Sequence, residues 1–169
     1  MPRIAKSLIV LAVKSLLKFF FRFAVVAVLA ATALHAQREK FPPDDLEFLE
    51  KNWPQAKKTN TGIRYIILQE GQGEPPQPGD KCSILYVGRL LNGTVFDQTE
   101  SREKPFVCRV RRGDVIEGWD QILQLMRRGE KRLVIIPPEL AYGTRGQPPR
   151  IPRNASLVFE MELVDFQRP

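Results

Sequence analysis

The stretch GDVIEGWDQILQLMRRGEKRLVIIP, residues 113–137, decides the fold because it passes from one type of secondary structure to another. Its first half has apolar residues at helical spacing and predicts a helix over residues 116–126, with four of them on one face: Ile116, Trp119, Leu123 and Met126. The run EKRLVIIP that follows predicts a buried strand. A Trp one residue after a Gly at a helix start is either a core anchor or the floor of a pocket, and the rest of the chain must decide.

Alternation of apolar and polar residues on both sides of that stretch predicts strands. One begins after Gly62, a second runs from Lys81 to Leu91 and ends in the hairpin signal Asn92-Gly93, and the last is SLVFEMELVDF. That last strand points four apolar residues one way: Leu157, Phe159, Met161 and Leu163. The runs TVFD and KPFVCRV predict one strand interrupted by the polar excursion QTESRE. One helix against a mainly antiparallel sheet is an α+β fold.

The region before the first strand is predicted to be a linker with a short helix, residues 37–61, and the folded domain to be residues 62–169. Two prolines and then two acidic residues in FPPDDLEFLEKNW are typical of a helix start. Three residues of this helix share one face for packing: Leu46, Leu49 and Trp53. Pro54 and the run KKTNTG then predict a break.

Residues 1–36 are predicted to be a signal peptide, which makes the protein exported, to the periplasm or as a secreted protein. The segment has five basic and no acidic residues, an apolar core FAVVAVLAATAL, and small residues that place cleavage between Ala33 and Gln37. An uncleaved N-terminal anchor stays open as an alternative, and only then would the protein contact a membrane. An organellar transit peptide is also open, since Lys14, Lys18 and Arg22 are spaced by four.

The charge of the chain sits largely in that leader. The formal net charge is +7, but the 133 residues after the leader carry 21 basic and 19 acidic residues. A nearly balanced body does not provide the basic surface that tracks a phosphate backbone. We therefore expect no nucleic-acid partner.

Reactive residues are scarce. The only histidine is His35, in or beside the leader. The rest of the chain therefore has no histidine for a Ser-His-Asp catalytic triad or for a metal site. The two cysteines, Cys82 and Cys108, are too few for a zinc site, and their strand parity predicts that both face the interior, where pairing and free thiols are both open. No Gly-rich phosphate loop occurs. We expect no metal and no cofactor.

From YVGRLLNGTVFDQT to IPRNASLVFEMEL, including the stretch quoted first, the chain resembles the FKBP-type peptidyl-prolyl cis-trans isomerases. The resemblance covers roughly residues 62–166 and keeps the order and spacing of the motifs. It implies a five-stranded antiparallel sheet wrapped around one short helix, with the active site between them. It also implies an enzyme that speeds rotation of X-Pro bonds in Pro-containing unfolded or partly folded polypeptides, and that is open to macrolide inhibitors.

The resemblance makes Trp119 the floor of the pocket. It implies substrate-binding residues at eleven positions: Tyr86, Phe96, Asp97, Arg102, Phe106, Val115, Ile116, Trp119, Tyr142, Ile151 and Phe159. It gives direct catalytic roles to five of them: Asp97, Tyr142, Ile116, Trp119 and Phe96. In this scheme the Ile116 N–H and the Tyr142 hydroxyl bond substrate carbonyls, and Asp97 interacts with Arg102 or Tyr86. Six of the chain's fifteen aromatic residues fall in this set, more than a small core needs unless some line a cavity.

Three positions depart from the family pattern. Arg111 stands where the family usually has Gly, Arg150 replaces an apolar residue on the overhanging loop, and Gln147 sits where His is common. The last two lie at the rim, so they bear on peptide preference and macrolide affinity, and Arg145 with Arg150 favours acidic residues near the proline. A rival hypothesis is a non-catalytic, chaperone-like binding module of the same fold.

Overall fold

The computed structural model describes residues 39–168, and from Lys40 onward they form one compact unit. The predicted leader therefore lies outside the described residues. The helices are α1 (Pro43–Asn52) and α2 (Glu117–Leu123), with a short 3₁₀ helix at Pro138–Leu140. The strands are β1 (Lys57–Lys58), β2 (Arg64–Gln69), β3 (Lys81–Leu90), β4 (Val95–Gln98), β5 (Phe106–Arg109), β6 (Lys131–Ile136) and β7 (Leu157–Gln167).

All strand pairings are antiparallel and follow the order β1-β2-β6-β7-β3-β4, with β5 also paired to β3. Strands β4 and β5 are the two pieces of the predicted interrupted strand, since both pair with β3 and residues 99–105 separate them. Counted so, the sheet has the five expected strands, and the two-residue β1 adds a short edge to β2. The predicted α+β fold is confirmed.

The inner face of the sheet carries the main core. Leu157, Phe159, Met161 and Leu163 of β7 are all buried there, as their alternation predicted, and they share a cluster with the buried residues of α2. Cys82 and Cys108 lie in the same cluster and stand directly opposite each other across β3 and β5. Both thiols are buried and free.

Helix α1 covers the outer face of the same sheet. Pro42 precedes its first residue, Asp44 and Asp45 occupy its first turn, and the carboxylate of Asp45 accepts a hydrogen bond from the Ser156 hydroxyl (2.5 Å). A second apolar cluster joins its predicted face to outward-pointing residues of β6 and β7; its members are Phe41, Leu46, Leu49, Trp53, Leu91, Leu133, Ile135 and Val158. The segment before β2 is thus packed onto the sheet, which explains why β6 is apolar on both faces.

Helix α2 is shorter than the periodicity predicted, ending at Leu123 rather than at Met126. The N–H groups of Leu125 and Met126 bond back only three residues, to the carbonyls of Ile122 and Leu123, so the helix closes in tight turns. The buried guanidinium of Arg132 donates a hydrogen bond to the Leu125 carbonyl (2.5 Å). This carbonyl is therefore not available as an acceptor for a further turn of the helix. None of the helices within residues 39–168 is long and apolar enough to cross a membrane.

Candidate active site

A cleft opens between α2 and the inner face of the sheet. It has a volume of about 190 Å³, which is enough to hold one amino-acid side chain. Strands β3, β4, β5 and β7, the start of α2 and the loop after β6 each contribute to its wall. The lining residues are Tyr86, Phe96, Asp97, Phe106, Asp114, Val115, Ile116, Trp119, Tyr142 and Phe159.

Trp119 is the hub of the aromatic wall. Its indole meets Tyr86, Phe106 and Phe159 edge to face, with ring centroids 4.8, 5.8 and 5.3 Å apart and interplanar angles of 83–89°. Phe96 stands at 90° to Phe159 at 5.7 Å. Rings at right angles fix one another's orientation without filling the space between them. Trp119 is 4 % exposed, so it is both a core residue and the floor of the cleft.

Gly88 makes room for two of these rings. A Cβ at this position would lie 2.7 Å from a Phe96 ring carbon and 2.9 Å from one of Phe159, closer than carbon atoms can approach. Gly118 plays the same part beneath α2, where a Cβ would lie 2.5 Å from the Ile136 side chain. The two glycines let the rings sit deep against β3 and let the helix sit close to β6.

The Tyr86 hydroxyl donates to Asp97 Oδ2 at 2.6 Å, and Asp97 Oδ1 accepts the N–H of Gln98 at 3.0 Å. Burial first, and then the bond to Asp97, raise the pKa of Tyr86 well above its ordinary value. Burial, followed by the charge of Asp97, also raises the pKa of Tyr142. Both phenols therefore keep their protons at neutral pH and remain hydrogen-bond donors.

The residue just before α2 has a free backbone N–H at the cleft. Ile116 precedes the first helical residue in an extended conformation (φ −60°, ψ 150°), and its carbonyl accepts the N–H of Trp119 at 2.9 Å. Its own N–H has no acceptor within the part of the chain that the structure describes. The first N–H groups of any helix lack partners inside the helix, so such a group can serve a ligand carbonyl.

Two carboxylates hold the β5–α2 connection against the cleft. The buried Asp120 accepts the N–H of Arg111 at 2.8 Å, and Asp114 accepts the N–H of Arg109 at 2.8 Å. Arg111 has a left-handed backbone (φ 58°), the conformation for which the family's usual glycine is suited. Asp114 lines the cleft and was missed by the sequence reasoning, although its place two residues before Ile116 was a usable signal.

Nine of the eleven substrate-binding positions named from the sequence line the cleft, and two do not. Arg102 lies on the outer face, where its guanidinium makes a two-pronged pair with Glu162 at 2.8 and 2.9 Å. Of the two partners expected for Asp97, the structure therefore shows Tyr86 and not Arg102, because the segment between β4 and β5 turns the arginine toward the outward-pointing side of β7. Ile151 is 1 % exposed and belongs to the core cluster, held inward by paired backbone bonds with Gln147 (2.8 and 3.0 Å).

Metal-binding residues do not converge anywhere within residues 39–168. No three side chains of His, Cys, Asp or Glu come close enough there to hold an ion. What the cleft offers instead is an apolar ring pocket, neutral hydroxyl donors and a free amide N–H.

Comparisons with known proteins agree with this geometry. Residues 72–164 match the model of the FKBP-type peptidyl-prolyl cis-trans isomerase family. FK506-binding protein 1 of Dictyostelium discoideum is 42 % identical over 106 residues, which is 63 % of this chain and 99 % of that protein. The peptidyl-prolyl cis-trans isomerase Mip of Coxiella burnetii is 38 % identical over 118 residues, which is 70 % of this chain and 50 % of Mip.

A crystal structure of a peptidyl-prolyl cis-trans isomerase from Pseudomonas syringae pv. tomato superposes with a TM-score of 0.66 at 35 % identity, covering 74 % of this chain and 92 % of that one. The family match spans more than half of the chain and includes the cleft and the elements that build it. The chain therefore belongs to the FKBP-type peptidyl-prolyl cis-trans isomerases and is an enzyme of that type.

Proposed function

We propose that the cleft holds the proline ring of an X-Pro segment in exported, partly folded polypeptides and lowers the barrier to rotation by stabilising a twisted amide. The observation that carries this proposal is the aromatic cleft itself, with Trp119 as its floor and Tyr86, Phe106 and Phe159 set at near right angles around it. Its volume of about 190 Å³ admits one small ring.

The chemistry needs no proton transfer and no covalent intermediate. Rotation about a peptide bond faces a barrier of about 18–20 kcal/mol because resonance keeps the amide planar. An apolar pocket disfavours the charge-separated planar form, and complementarity to the twisted form lowers the barrier. The N–H of Ile116 and the hydroxyl of Tyr142 would each bond a substrate carbonyl, while Asp97 and Tyr86 would face the twisting group from β4 and β3. Such a reaction does not require a histidine, and residues 37–169 contain none.

A binding module that holds Pro-containing segments without turning them over is the competing function for the same surface. The discriminating experiment is magnetisation exchange between the cis and trans signals of a short Leu-Pro peptide, with and without catalytic amounts of the protein. We expect faster exchange with no change in the cis/trans ratio. Peptide binding with an unchanged exchange rate would replace the enzyme by the binding module.

The pH dependence of the same assay tests the mechanism. Because the two phenols of the cleft have raised pKa values and no step moves a proton, kcat/KM should be nearly flat from about pH 6 to about pH 8.5. A bell-shaped profile would require an acid and a base in the reaction and would contradict the twisted-amide mechanism.

We also propose that the chain is exported and cut between Ala33 and Gln37. The acid-free leader and its apolar core support this. N-terminal sequencing of the protein purified from its native source decides it, and an intact Met1 on protein from the cytosolic fraction would overturn it.

Macrolide binding is proposed on the same surface, since the Dictyostelium relative is named for binding FK506. The exposed Arg150 places a charge on the loop that the cleft residue Tyr142 begins. We expect Arg150→Ile to bind a bulky apolar inhibitor at least as tightly as the native protein, which a calorimetric titration measures.

A further inference from the structure

The loop that follows β6 carries a local excess of positive charge. Arg145, Arg150 and Arg153 are all exposed, and none has a carboxylate within ion-pair distance among the described residues. The only acidic residue of this loop, Glu139, is engaged by Lys40 at 3.6 Å. Three guanidinium groups without a carboxylate partner therefore lie on one loop.

Backbone hydrogen bonds fold this loop back on itself and bring together the two arms that carry the three arginines. Gly146 donates to the carbonyl of Tyr142 (3.0 Å), and Asn154 donates to that of Gly143 (2.8 Å). At the crossing, a Cβ on Gly146 would lie 2.7 Å from the carbonyl oxygens of Ile151 and Pro152, so the two arms of the loop touch. Arg145 adjoins the first arm at this contact, and Arg150 and Arg153 flank the second.

The same loop forms one wall of the cleft. Tyr142 lines the cleft and is itself the acceptor of the bond from Gly146, so Arg145 lies within the turn that Tyr142 opens. The charges elsewhere on the cleft wall have the opposite sign: Asp97 on β4 and Asp114 before α2 are both exposed carboxylates. The charged side chains that line the cleft are thus both negative, whereas the loop that borders the cleft carries three exposed positive groups.

We infer that the enzyme prefers polypeptide segments with an acidic side chain two residues from the proline, on the side that runs over the loop of residues 142–154. This inference rests on the proposed isomerase function and adds its substrate class. The loop arginines lack counter-charges of their own, so a substrate carboxylate supplies one. A substrate carboxylate that lies over Asp97 or Asp114 instead meets a like charge and is disfavoured. The preference is thus directional and not a general attraction of acidic peptides.

The test uses the full chain and three peptides with a central Leu-Pro. One carries Glu two residues before the proline, one carries Glu two residues after it, and the reference carries Gln at both places. At low salt we expect one Glu position to raise kcat/KM about threefold to tenfold over the reference, as exposed ion pairs with two arginines allow. Because salt screens exposed charges, about 0.5 M NaCl should remove most of this gain.

Charge removal identifies the loop as the source. In Arg145→Gln/Arg150→Gln, the ratio of the Glu to the Gln peptide should fall to near one. The matched control is Lys81→Gln/Arg127→Gln, which removes the same charge from two exposed positions at the start of β3 and just before β6, the end of the sheet away from the loop. The control should keep the native ratio.

Three results would overturn the inference: no gain for either Glu position, equal gains for both, or a gain that survives in the loop variant. The Gln peptide separates this failure from a failure of the proposed function. If the native protein does not speed exchange in the Gln peptide or in either Glu peptide, the isomerase itself is absent. If it speeds exchange in all three equally, only the acidic preference is wrong.

Discussion

Helices α1 and α2 lie on opposite faces of one sheet, and their interfaces with the sheet are packed differently. On the outer face, Leu49 of α1 is 1 % exposed and packs with Ile135 and Val158 in a filled cluster. On the inner face, Trp119 of α2 is almost as buried, yet a cleft remains above it. Mostly aliphatic side chains, together with Phe41 and Trp53, fill the first interface, whereas rings at right angles border the cleft in the second.

The difference shows that burial alone does not separate core from site. Leu49 and Trp119 would look alike by exposed fraction, and what distinguishes them is the shape of their neighbours. Branched aliphatic groups interdigitate to high density. The edge-to-face rings of the inner interface leave a cleft between them, and two of these rings, Phe96 and Phe159, occupy the space left by the missing Cβ of Gly88.

Removing the centre of the open interface should have the largest effect. Trp119→Ala loses the floor of the cleft and a core contact, so we expect undetectable catalysis and a loss of about 3–5 kcal/mol in the free energy of unfolding. Urea unfolding and the exchange assay measure the two. Trp119→Leu, which keeps an apolar side chain for the core, should fold and still lack activity. Native-like kcat/KM in folded Trp119→Leu would show that the indole is only structural.

The sealed interface provides the matched control. Leu49→Ala should cost about 2–5 kcal/mol in stability, because it leaves a cavity under α1. Its kcat/KM, measured at a temperature where the protein is folded, should stay within about twofold of the native value, a difference of about 0.4 kcal/mol. A parallel loss of activity would mean that the outer face supports the cleft.

Polar groups on the cleft wall should matter less than its floor. Tyr142→Phe removes one donor worth about 0.5–1.5 kcal/mol, so kcat/KM should fall by up to roughly tenfold with stability little changed. Asp97→Val, which takes the acceptor from the Tyr86 hydroxyl, should lose a similar amount. Unfolding midpoints of both variants show whether the fold is intact. A loss of a thousandfold from either would indicate chemistry beyond a single hydrogen bond.

Replacing Arg111 should have a smaller effect, and it should raise the stability of the protein rather than lower it. Its left-handed backbone costs about 1 kcal/mol for a residue with a Cβ, and its ion pair with Glu117 is half exposed and worth little. Arg111→Gly should therefore gain about 0.5 kcal/mol. The neighbouring Arg112, which lacks a positive φ, is the control, and Arg112→Gly should lose about 0.5–1 kcal/mol. The account of strain at residue 111 fails if both variants lose stability equally.

The two buried thiols of the inner core should make the stability of the protein depend on pH only under alkaline conditions. Burial first, and then nearby negative charge, raise the pKa of Cys82 and of Cys108 to about 12. Since each folded thiol holds its proton more tightly than the unfolded one, their stabilising effect is complete below about pH 8.5 and is lost as the pH rises toward 12. Between pH 8 and about pH 10.5, reduced native protein should lose more unfolding free energy than Cys82→Ala/Cys108→Ala. Equal losses would contradict the raised pKa values.

The sequence predicted the sheet, the inner helix and most of the cleft because their residues follow periodic patterns or sit at fixed places in motifs. Asn92-Gly93 marked the hairpin, and the turn forms with the N–H of Leu90 donating to Thr94. The sequence could not predict on which face of the sheet Arg102 lies. Its segment, between β4 and β5, has no periodic pattern that would fix the direction of the side chain. The sequence predicted an apolar packing face on α1 but could not name its partners on β6 and β7, because these lie about a hundred residues away in the chain, as Ser156 does from Asp45.

The chain has two tryptophans, one in each interface, and their indole signals test the central claim most directly. Trp119 forms the floor of the open cleft, and Trp53 packs in the outer cluster. In a ¹H–¹⁵N correlation spectrum recorded during titration with a Leu-Pro peptide, we expect the Trp119 indole signal to move with peptide concentration and that of Trp53 to stay. The variant Trp53→Phe assigns the two signals. A shift of Trp53 alone, or of neither signal while exchange is being catalysed, would contradict the assignment of the inner cleft as the isomerase site.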